Sequence, residues 1–402
     1  MINELPIILL IMLVIAVMLR LDFVFYLIYV LAGVYIMARW WPSRSVKHIQ
    51  MRRHFSDHAF LGETVPVELE VENISWLPVP WLRADETSPP TLLAGNPVHQ
   101  VISLKPHEKV ILPYELVGRR RGYYEIGPAR LSLGDLFGFS EVNAQLEQRD
   151  HLTVYPRVIP LAKVELVSRS PHGTIRSRQP IFEDPDRIIG VRDYLPGDPL
   201  HGINWKSSAR ASKLLVKKLE PAVSLSSMIV LDLDRDAYDY QLRHTHSEWA
   251  IVVAASLAHY LTEQRQAIGL ASNGRDSVTQ TAQWSIPPRP GRVHLMKLLE
   301  WLARVEMIET VSLPEWLPTA VHALPWGTVV IVVTPKGDET TCRALHRLQR
   351  AGLSPVLVVV EPHGQFGAVR ERARRLGFPA HLVSDERDLA RWQARAPVPY
   401  AA

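Results

Sequence analysis

Two apolar runs near the start of the chain constrain its fold more than any other feature. Residues 5–19 read LPIILLIMLVIAVML and residues 23–38 read FVFYLIYVLAGVYIMA, with Arg20, Leu21 and Asp22 between them. As one helix the whole stretch would be about 50 Å long at 1.5 Å per residue. A bilayer's hydrocarbon core is only ~30 Å thick. Two short spans joined by a polar turn fit better, so a transmembrane helical hairpin is expected over residues 1–41. Each span is slightly short and would need local thinning or help from flanking side chains. A signal peptide fits less well, because there is no basic stretch before the first run and no small-residue cleavage site.

The flanks set the expected orientation. Arg39, Arg44, Lys47, Arg52 and Arg53 follow the second run, with no acid until Asp57, whereas only Glu4 precedes the first. The positive-inside rule then places residue 39 onward in the cytoplasm. The expectation is a multi-pass protein of the inner cell membrane, with cytoplasmic soluble domains and residues 5–38 in contact with the lipid bilayer. Trp40 and Trp41 suit the headgroup layer, and the basic run would attract anionic lipid.

Length and composition bound the remainder of the chain. A chain of 402 residues suggests two or three domains. Its 47% hydrophobic content supports packed cores over disorder. A net charge of +4 is too small to argue for nucleic acid, and no nucleic-acid partner is expected. The single cysteine, Cys342, rules out an intrachain disulfide framework or a cysteine metal cluster.

Residues 64–72 (TVPVELEVE) alternate apolar and polar, as a half-buried strand does. Residues 109–117 (KVILPYELV) and 129–133 (ARLSL) are further strand candidates, and Pro78, Pro80, Pro89, Pro90, Pro97 and Pro106 punctuate the region. Short strands between turns predict a small β-sandwich over residues 55–155. Later, MIVLDL (228–233), AIGLAS (267–272), TVVIVVT (328–334) and PVLVVV (355–360) are continuous apolar runs, as buried parallel strands are. Helical patterns separate them, among them the amphipathic GRVHLMKLLEWLARVE (291–306). This alternation predicts a doubly wound α/β domain over residues 228–396.

Residues 156–227 connect the two. Within them the stretch from Glu183 to Glu220 is highly charged: Arg187 and Arg192 neighbour Asp184, Asp186 and Asp193. Arginine forks bind carboxylates bidentately, so the stretch reads as an ionic clasp between domains or as a docking surface. Pro185, Pro196, Gly197 and Pro199 argue against a helix before about residue 201. Residues 204–213 suit one or two helical turns, and residues 214–219 a strand.

Here the residues carry a resemblance. R-x-Y-x-x-G-D (Arg192, Tyr194, Gly197, Asp198), with Asp193 inside it, is followed by I-x-W-x-x-x-A-R (Ile203, Trp205, Ala209, Arg210) and a closing Glu220. Together with RRRGYYEIGPARLSLGDLFGF at residues 119–139, this resembles the domain of unknown function 58 family of bacteria and archaea. The resemblance implies two N-terminal membrane helices and a C-terminal von Willebrand A-like domain. It also implies a non-enzymatic interaction or assembly role beside a MoxR-type AAA+ ATPase, with the signature residues as the binding set.

Von Willebrand A domains hold Mg²⁺ with D-x-S-x-S at the end of the first strand, plus a Thr and an Asp from later loops. This chain has Asp232, Asp234 and Asp236 in D-L-D-R-D, so only the first ligand matches. After the 328–334 strand, where that family often has an aspartate, stand Thr334, Pro335 and Lys336. The expectation is no catalytic residue and no cofactor. The alternative is a metal-dependent hydrolase using Asp232, Asp234 and Asp236 with a divalent cation such as Mg²⁺. His244 and His246 follow, but i, i+2 positions on a helix do not face each other. No G-x-S-x-G, P-loop or G-x-G-x-x-G is present.

Overall fold

The computed structural model describes residues 5–19, 22–93, 99–134, 141–146, 148–161, 183–194, 203–221, 226–361, 364 and 366–392. The chain forms two compact units. The first is Met1–Arg157 together with Asp276–Thr279 and Leu299–Val305, and the second is the remainder.

The first unit begins with helices α1 (Leu5–Leu19) and α2 (Asp22–Ser45). They are unequal, and the pair of short membrane spans expected from the sequence is not shown: among the described residues one stretch, Phe23–His48 (26 residues), is long and apolar enough to cross a membrane. The 15 residues of α1 reach only about 22 Å at 1.5 Å per residue. Phe23, Tyr26, Val30 and Ile36 on α2 are 62–72% exposed, so no protein core covers them. In water such exposure forgoes about 25 cal/mol per Å² of apolar area; in lipid it costs nothing.

Among the described residues ten strands follow: β1 (Ile49–His54), β2 (His58–Phe60), β3 (Thr64–Asn73), β4 (Val79–Asp85), β5 (His99–Leu104), β6 (Lys109–Val117), β7 (Gly122–Ile126), β8 (Ala129–Gly134), β9 (Glu141–Leu146) and β10 (Asp150–Tyr155). They make three sheets, ordered β1-β3-β6, β5-β4-β8-β9 and β2-β10-β7. Alternation along β3 turns Val65, Val67, Leu69 and Val71 inward. One half of that face (Leu69, Val71, with Ile49, Met51 and Leu112) packs on Leu82, Ala84, Leu131 and Leu133 of the four-stranded sheet. The other half (Val65, Val67, Leu116) packs on Ile126, Leu152 and Val154 of the β7–β10 sheet. Arg121, in the arginine run before β7, donates from Nη1 to the carbonyls of Leu302, Ala303 and Val305 at 2.9–3.0 Å, all within this unit.

A buried ionic group ties the strand ends of this unit together. Arg53 donates from Nε and Nη2 to the two oxygens of Glu86 (3.1 and 3.0 Å), and from Nη1 to Asp150 Oδ2 (2.7 Å) and the Gln148 carbonyl (3.0 Å). The Arg53 and Glu86 side chains are only 3% and 1% exposed. Burial pushes the Glu86 carboxyl above its ordinary range, although the Arg53 fork opposes this. Gly127 has φ +102°, and a Cβ there would meet the Gln148 carbonyl at 2.7 Å and Arg53 Nη2 at 2.9 Å, so only glycine fits beside the guanidinium.

The second unit starts with β11 (Glu183–Asp193), α3 (Trp205–Ala211) and β12 (Leu215–Pro221), in which β11 and β12 form an antiparallel ribbon. The sequence showed the second strand but not the first, because Pro185 and the dense charge disguise it. Register shifts between Asp184 and Ile188, and again before Gly190, absorb the irregularity. Next in chain order come β13 (Ser226–Leu231), α4 (Arg243–Glu263), β14 (Ala267–Asp276), β15 (Ala282–Arg289), α5 (Arg292–Arg304), the two-residue β16 (Val305–Glu306) and α6 (Leu313–Val321), of which Asp276 and Leu299–Val305 belong to the first unit. Then follow β17 (Val329–Thr334), α7 (Glu339–Arg350), β18 (Ser354–Val359), α8 (Phe366–Leu376), β19 (Ala380–Leu382) and α9 (Glu386–Trp392).

The main sheet runs β15-β14-β13-β17-β18-β19. Every neighbouring pair is parallel except β14 with the edge strand β15. Pro287 and Pro288 hid β15 from sequence reasoning; an edge strand tolerates proline because it has no second neighbour to receive its N–H. All six residues of β17 are buried, because helices cover both faces of a parallel sheet. Trp316, Leu317, Leu345, Leu348, Val369 and Ala373 fill one layer with Cys342 among them. Burial pushes that thiol up, away from the reactive thiolate.

Replacing Arg53 by Ala strands two carboxylates and should cost about 3–5 kcal/mol in denaturant unfolding. Arg53→Lys should recover little of this, because an ammonium cannot fork. An orphaned Glu86 carboxyl titrates still higher in the folded state, so its protonation favours folding. The loss in Arg53→Ala should therefore shrink as pH falls toward the ordinary Glu value of about 4.3.

Candidate functional site

Ligands of doubly wound sheets bind at the carboxyl ends of the strands, and that edge here carries Asp232. It directly follows β13, the strand between β14 and β17. Its side chain is a hub. Oδ1 accepts from Asn273 Nδ2 on β14 (3.0 Å) and from the Asp234 N–H (3.2 Å), and Oδ2 accepts from Thr334 Oγ1 at the end of β17 (2.9 Å). Asn273 Oδ1 in turn accepts from the Leu233 N–H at 2.7 Å. The Tyr238 hydroxyl donates to the Asp232 carbonyl at 2.6 Å. Asp232, Asn273 and Thr334 are at most 2% exposed. Burial raises the Asp232 carboxyl despite its three donors. Tyr238 is pushed well above its ordinary range, first by burial and then by the nearby Asp232 charge.

The other acids of D-L-D-R-D diverge from it. Asp234 is buried, and its Oδ1 caps a short turn by accepting from the N–H groups of Asp236 (3.4 Å) and Thr310 (3.3 Å). Asp236 is exposed, and Arg235 pairs with Glu309. His244 is exposed, whereas His246 places Nδ1 3.1 Å from Glu361 Oε1 without hydrogen-bond geometry. Glu361 also accepts from the Asp239 N–H at 3.0 Å. A bound cation would need carboxylate oxygens facing one point, but hydrogen-bond donors already face both oxygens of Asp232. Among the described residues no group of three or more His, Cys, Asp or Glu is placed to hold a metal ion. The residues present do not fit the Mg²⁺ site of von Willebrand A domains. Asn273, Tyr238 and Glu361 were not singled out in the sequence; the one signal was a polar residue directly after the apolar run AIGLAS.

The described signature residues lie on or beside the β11–β12 ribbon and α3. Arg192 stands opposite Val216, and Asp193 opposite Leu215. The Asp193 carboxylate pairs with Lys213 Nζ at 2.8 Å. Tyr194 donates its N–H to the Leu214 carbonyl at 3.0 Å. Asn204 caps α3, its Oδ1 accepting from the Ser207 N–H at 3.1 Å. Ser208 Oγ donates to the Asn204 carbonyl and accepts from the Leu215 N–H, both at 2.9 Å, fastening the helix to the strand. Trp205 opens α3 and is 66% exposed, and Arg210 is exposed in its last turn. Glu220 lies toward the other end of the ribbon, opposite Asp184. Gly197 and Asp198 lie outside the described residues, as do the side chains of Arg187, Arg192 and Glu220.

Asp232→Ala should leave the Asp234 N–H without its side-chain acceptor, and the Asn273 amide and Thr334 hydroxyl with only their longer bonds to the Val311 and Lys336 carbonyls (both 3.3 Å), costing about 3 kcal/mol in denaturant unfolding. Asp232→Asn keeps the shape and should cost less. The pH response separates charge from shape. The folded carboxyl titrates above its unfolded value of about 3.9, so the folded state holds the extra proton between the two values. This group's contribution is thus present below the unfolded value and lost as pH rises through the folded one. Asp232→Asn should flatten that part of the stability–pH curve relative to the parent chain.

Residues 190–357 match the family model described as protein of unknown function DUF58. The chain is 29% identical over 194 residues to the uncharacterized protein YeaD of Bacillus subtilis (strain 168), covering 48% of this chain and 45% of that one. It thus spans less than half the length of this curated relative. Among solved structures it is similar to the SpRpn10 VWA domain (12% identity, TM-score 0.30, 44% of this chain and 96% of that one). It is also similar to the native alpha-2-macroglobulin of Escherichia coli, from domain MG7 to the C-terminus (18% identity, TM-score 0.24, 28% and 17%). A third is the CARDB domain of the PF1109 protein of Pyrococcus furiosus (15% identity, TM-score 0.20, 26% and 91%). The resemblance carried by the signature motifs holds: residues 190–357 of this chain match the DUF58 family model.

Proposed function

We propose that this chain is a membrane-anchored, non-enzymatic interaction protein that presents a von Willebrand A-like domain in the cytoplasm and works with a MoxR-type AAA+ ATPase. The observation that carries this reading is the hydrogen bonding of Asp232. At the edge where such a sheet would hold a ligand, the central carboxylate accepts from Asn273, Thr334 and the Asp234 N–H, and so supports the fold. Exposed apolar groups lie instead in the signature segment, with Val191 41%, Trp205 66% and Leu214 46% exposed. An exposed tryptophan on a capped helix makes a good interface anchor, since Trp is enriched among residues that dominate binding energy. The hairpin and the cytoplasmic orientation rest on the two apolar runs and the basic flank after α2.

With the full chain purified from native membranes, a MoxR-type ATPase should co-purify, with or without nucleotide. Trp205→Ala should lower its recovery about tenfold, the effect of about 1.4 kcal/mol, while leaving thermal unfolding unchanged. Equal recovery with both chains would remove the signature segment as the docking site. A cysteine at Arg119 should resist a membrane-impermeant thiol reagent in intact cells and react after permeabilisation. Labelling in intact cells would reverse the proposed topology.

A further inference from the structure

The membrane-proximal edge of the β unit is set by strand register. The chain leaves α2 at Ser45 and enters β1 at Ile49, which pairs with Asn73 at the end of β3. Glu72 pairs with Lys109, the first residue of β6. The loops 74–78 and 105–108 therefore sit beside the end of α2. Two hydrogen bonds fix the first loop there: Trp41 Nε1 donates to the Pro78 carbonyl (2.8 Å), and the Ile74 N–H donates to the His48 carbonyl (2.9 Å).

That loop is rigid and presents its apolar side chains outward. Asn73 Nδ2 donates to the carbonyls of Leu77 (2.8 Å) and Lys105 (3.1 Å), and Asn73 Oδ1 accepts from the Ser75 N–H (3.1 Å) and Oγ (2.7 Å). Asn73 and Ser75 are buried, and Leu77 turns inward at 3% exposure. Between them Trp76 is 72% and Ile74 40% exposed. Water is a poor surrounding for a tryptophan held out on a fixed loop, whereas the headgroup layer suits its amphipathic ring. Trp40, 51% exposed on the last turns of α2, marks the same level. Exposed Arg44, Lys47 and Lys105 put positive charge near the loop, while Lys109 is paired with Glu70 at 2.6 Å. Of the nearby acids, Glu108 turns inward to accept from the Lys105 N–H at 2.6 Å, and Glu72 is half-buried.

We infer that the loop 74–78 is a second membrane contact: Trp76 and Ile74 insert into the headgroup layer of an anionic bilayer beside α2 and hold the β unit against the membrane. The inference rests on the reading of α2 as a membrane anchor, and the test separates the two. Single cysteines replace Trp76, Lys105, Arg119 and Val30 in the full chain, each labelled with an environment-sensitive fluorophore. The parent chain, with only buried Cys342, gives the background. The labelled chains are reconstituted into vesicles of phosphatidylcholine and phosphatidylserine containing lipid with a nitroxide near the headgroup or deep in the acyl chains.

The headgroup nitroxide should quench the labels at residues 76 and 105. The deep nitroxide should quench residue 30. Residue 119, beyond the far end of β6, should be quenched by neither. Quenching at 30, with 76 and 105 as unquenched as 119, overturns the loop contact and leaves the anchor standing. Absence of quenching at 30 overturns both.

Discussion

Register in a stack of apolar parallel strands needs a polar device, and in this α/β unit the Asp232 carboxylate provides it. β13, β17 and β18 are mostly apolar and almost wholly buried. Hydrophobic burial is non-directional, so it would hold these strands together in several registers. The hub discriminates among them. Asp232 reaches Asn273 on one neighbour and Thr334 on the other, and a one-residue slip of either strand would leave a buried donor without an acceptor. The cost is a carboxyl held above its ordinary range by burial. That position at the strand edge resembles a metal site, yet it performs a structural task.

The β unit shows the same logic with a buried group of three charges. Arg53, Glu86 and Asp150 come from separated parts of the sequence and meet where the sheets close. A buried ion group of this kind contributes little net stability compared with a well-packed apolar one, but it penalises any arrangement that separates its members. It sits between two apolar clusters and accounts for the glycine at position 127. At the other end of the unit, Asn73 and Ser75 organise a short loop, and there the ordered backbone holds a tryptophan outward. In the first case buried polarity fixes strand pairing; in the second it fixes exposure.

Much of this architecture was legible in the sequence because it depends on local pattern. The alternation in TVPVELEVE appears as β3, KVILPYELV as β6 and the apolar runs at 328–334 and 355–360 as β17 and β18. What escaped detection depended on long-range pairing. β11 carries Pro185 and a dense run of charges, and it is a strand only because β12 offers partners that tolerate its bulges. β15 carries two prolines and survives because it has one neighbour. The unequal lengths of α1 and α2 were also hidden, since hydropathy marks where apolar runs stop but not how far a helix continues through Trp40 and Trp41. For the candidate site, the sequence placed Asp232 at a strand end. Its hydrogen-bond partners lie 41 and 102 positions along the chain, beyond the reach of any spacing rule.

By itself, then, the sequence determined the class of each segment: an apolar N-terminal helical stretch, a β-rich middle, an α/β domain, and the motifs by which residues 190–357 match a family model. Burial periodicity and local turn chemistry carry that information within a few residues of each position. Only the tertiary structure decided what the polar residues do. It turned D-L-D-R-D from three candidate ligands into a strand-end hub, a turn cap and an exposed acid, and it brought Trp76 beside the end of α2. A side chain's task is set by which donors and acceptors the fold brings within about 3 Å of it, and those neighbours come from distant parts of the chain.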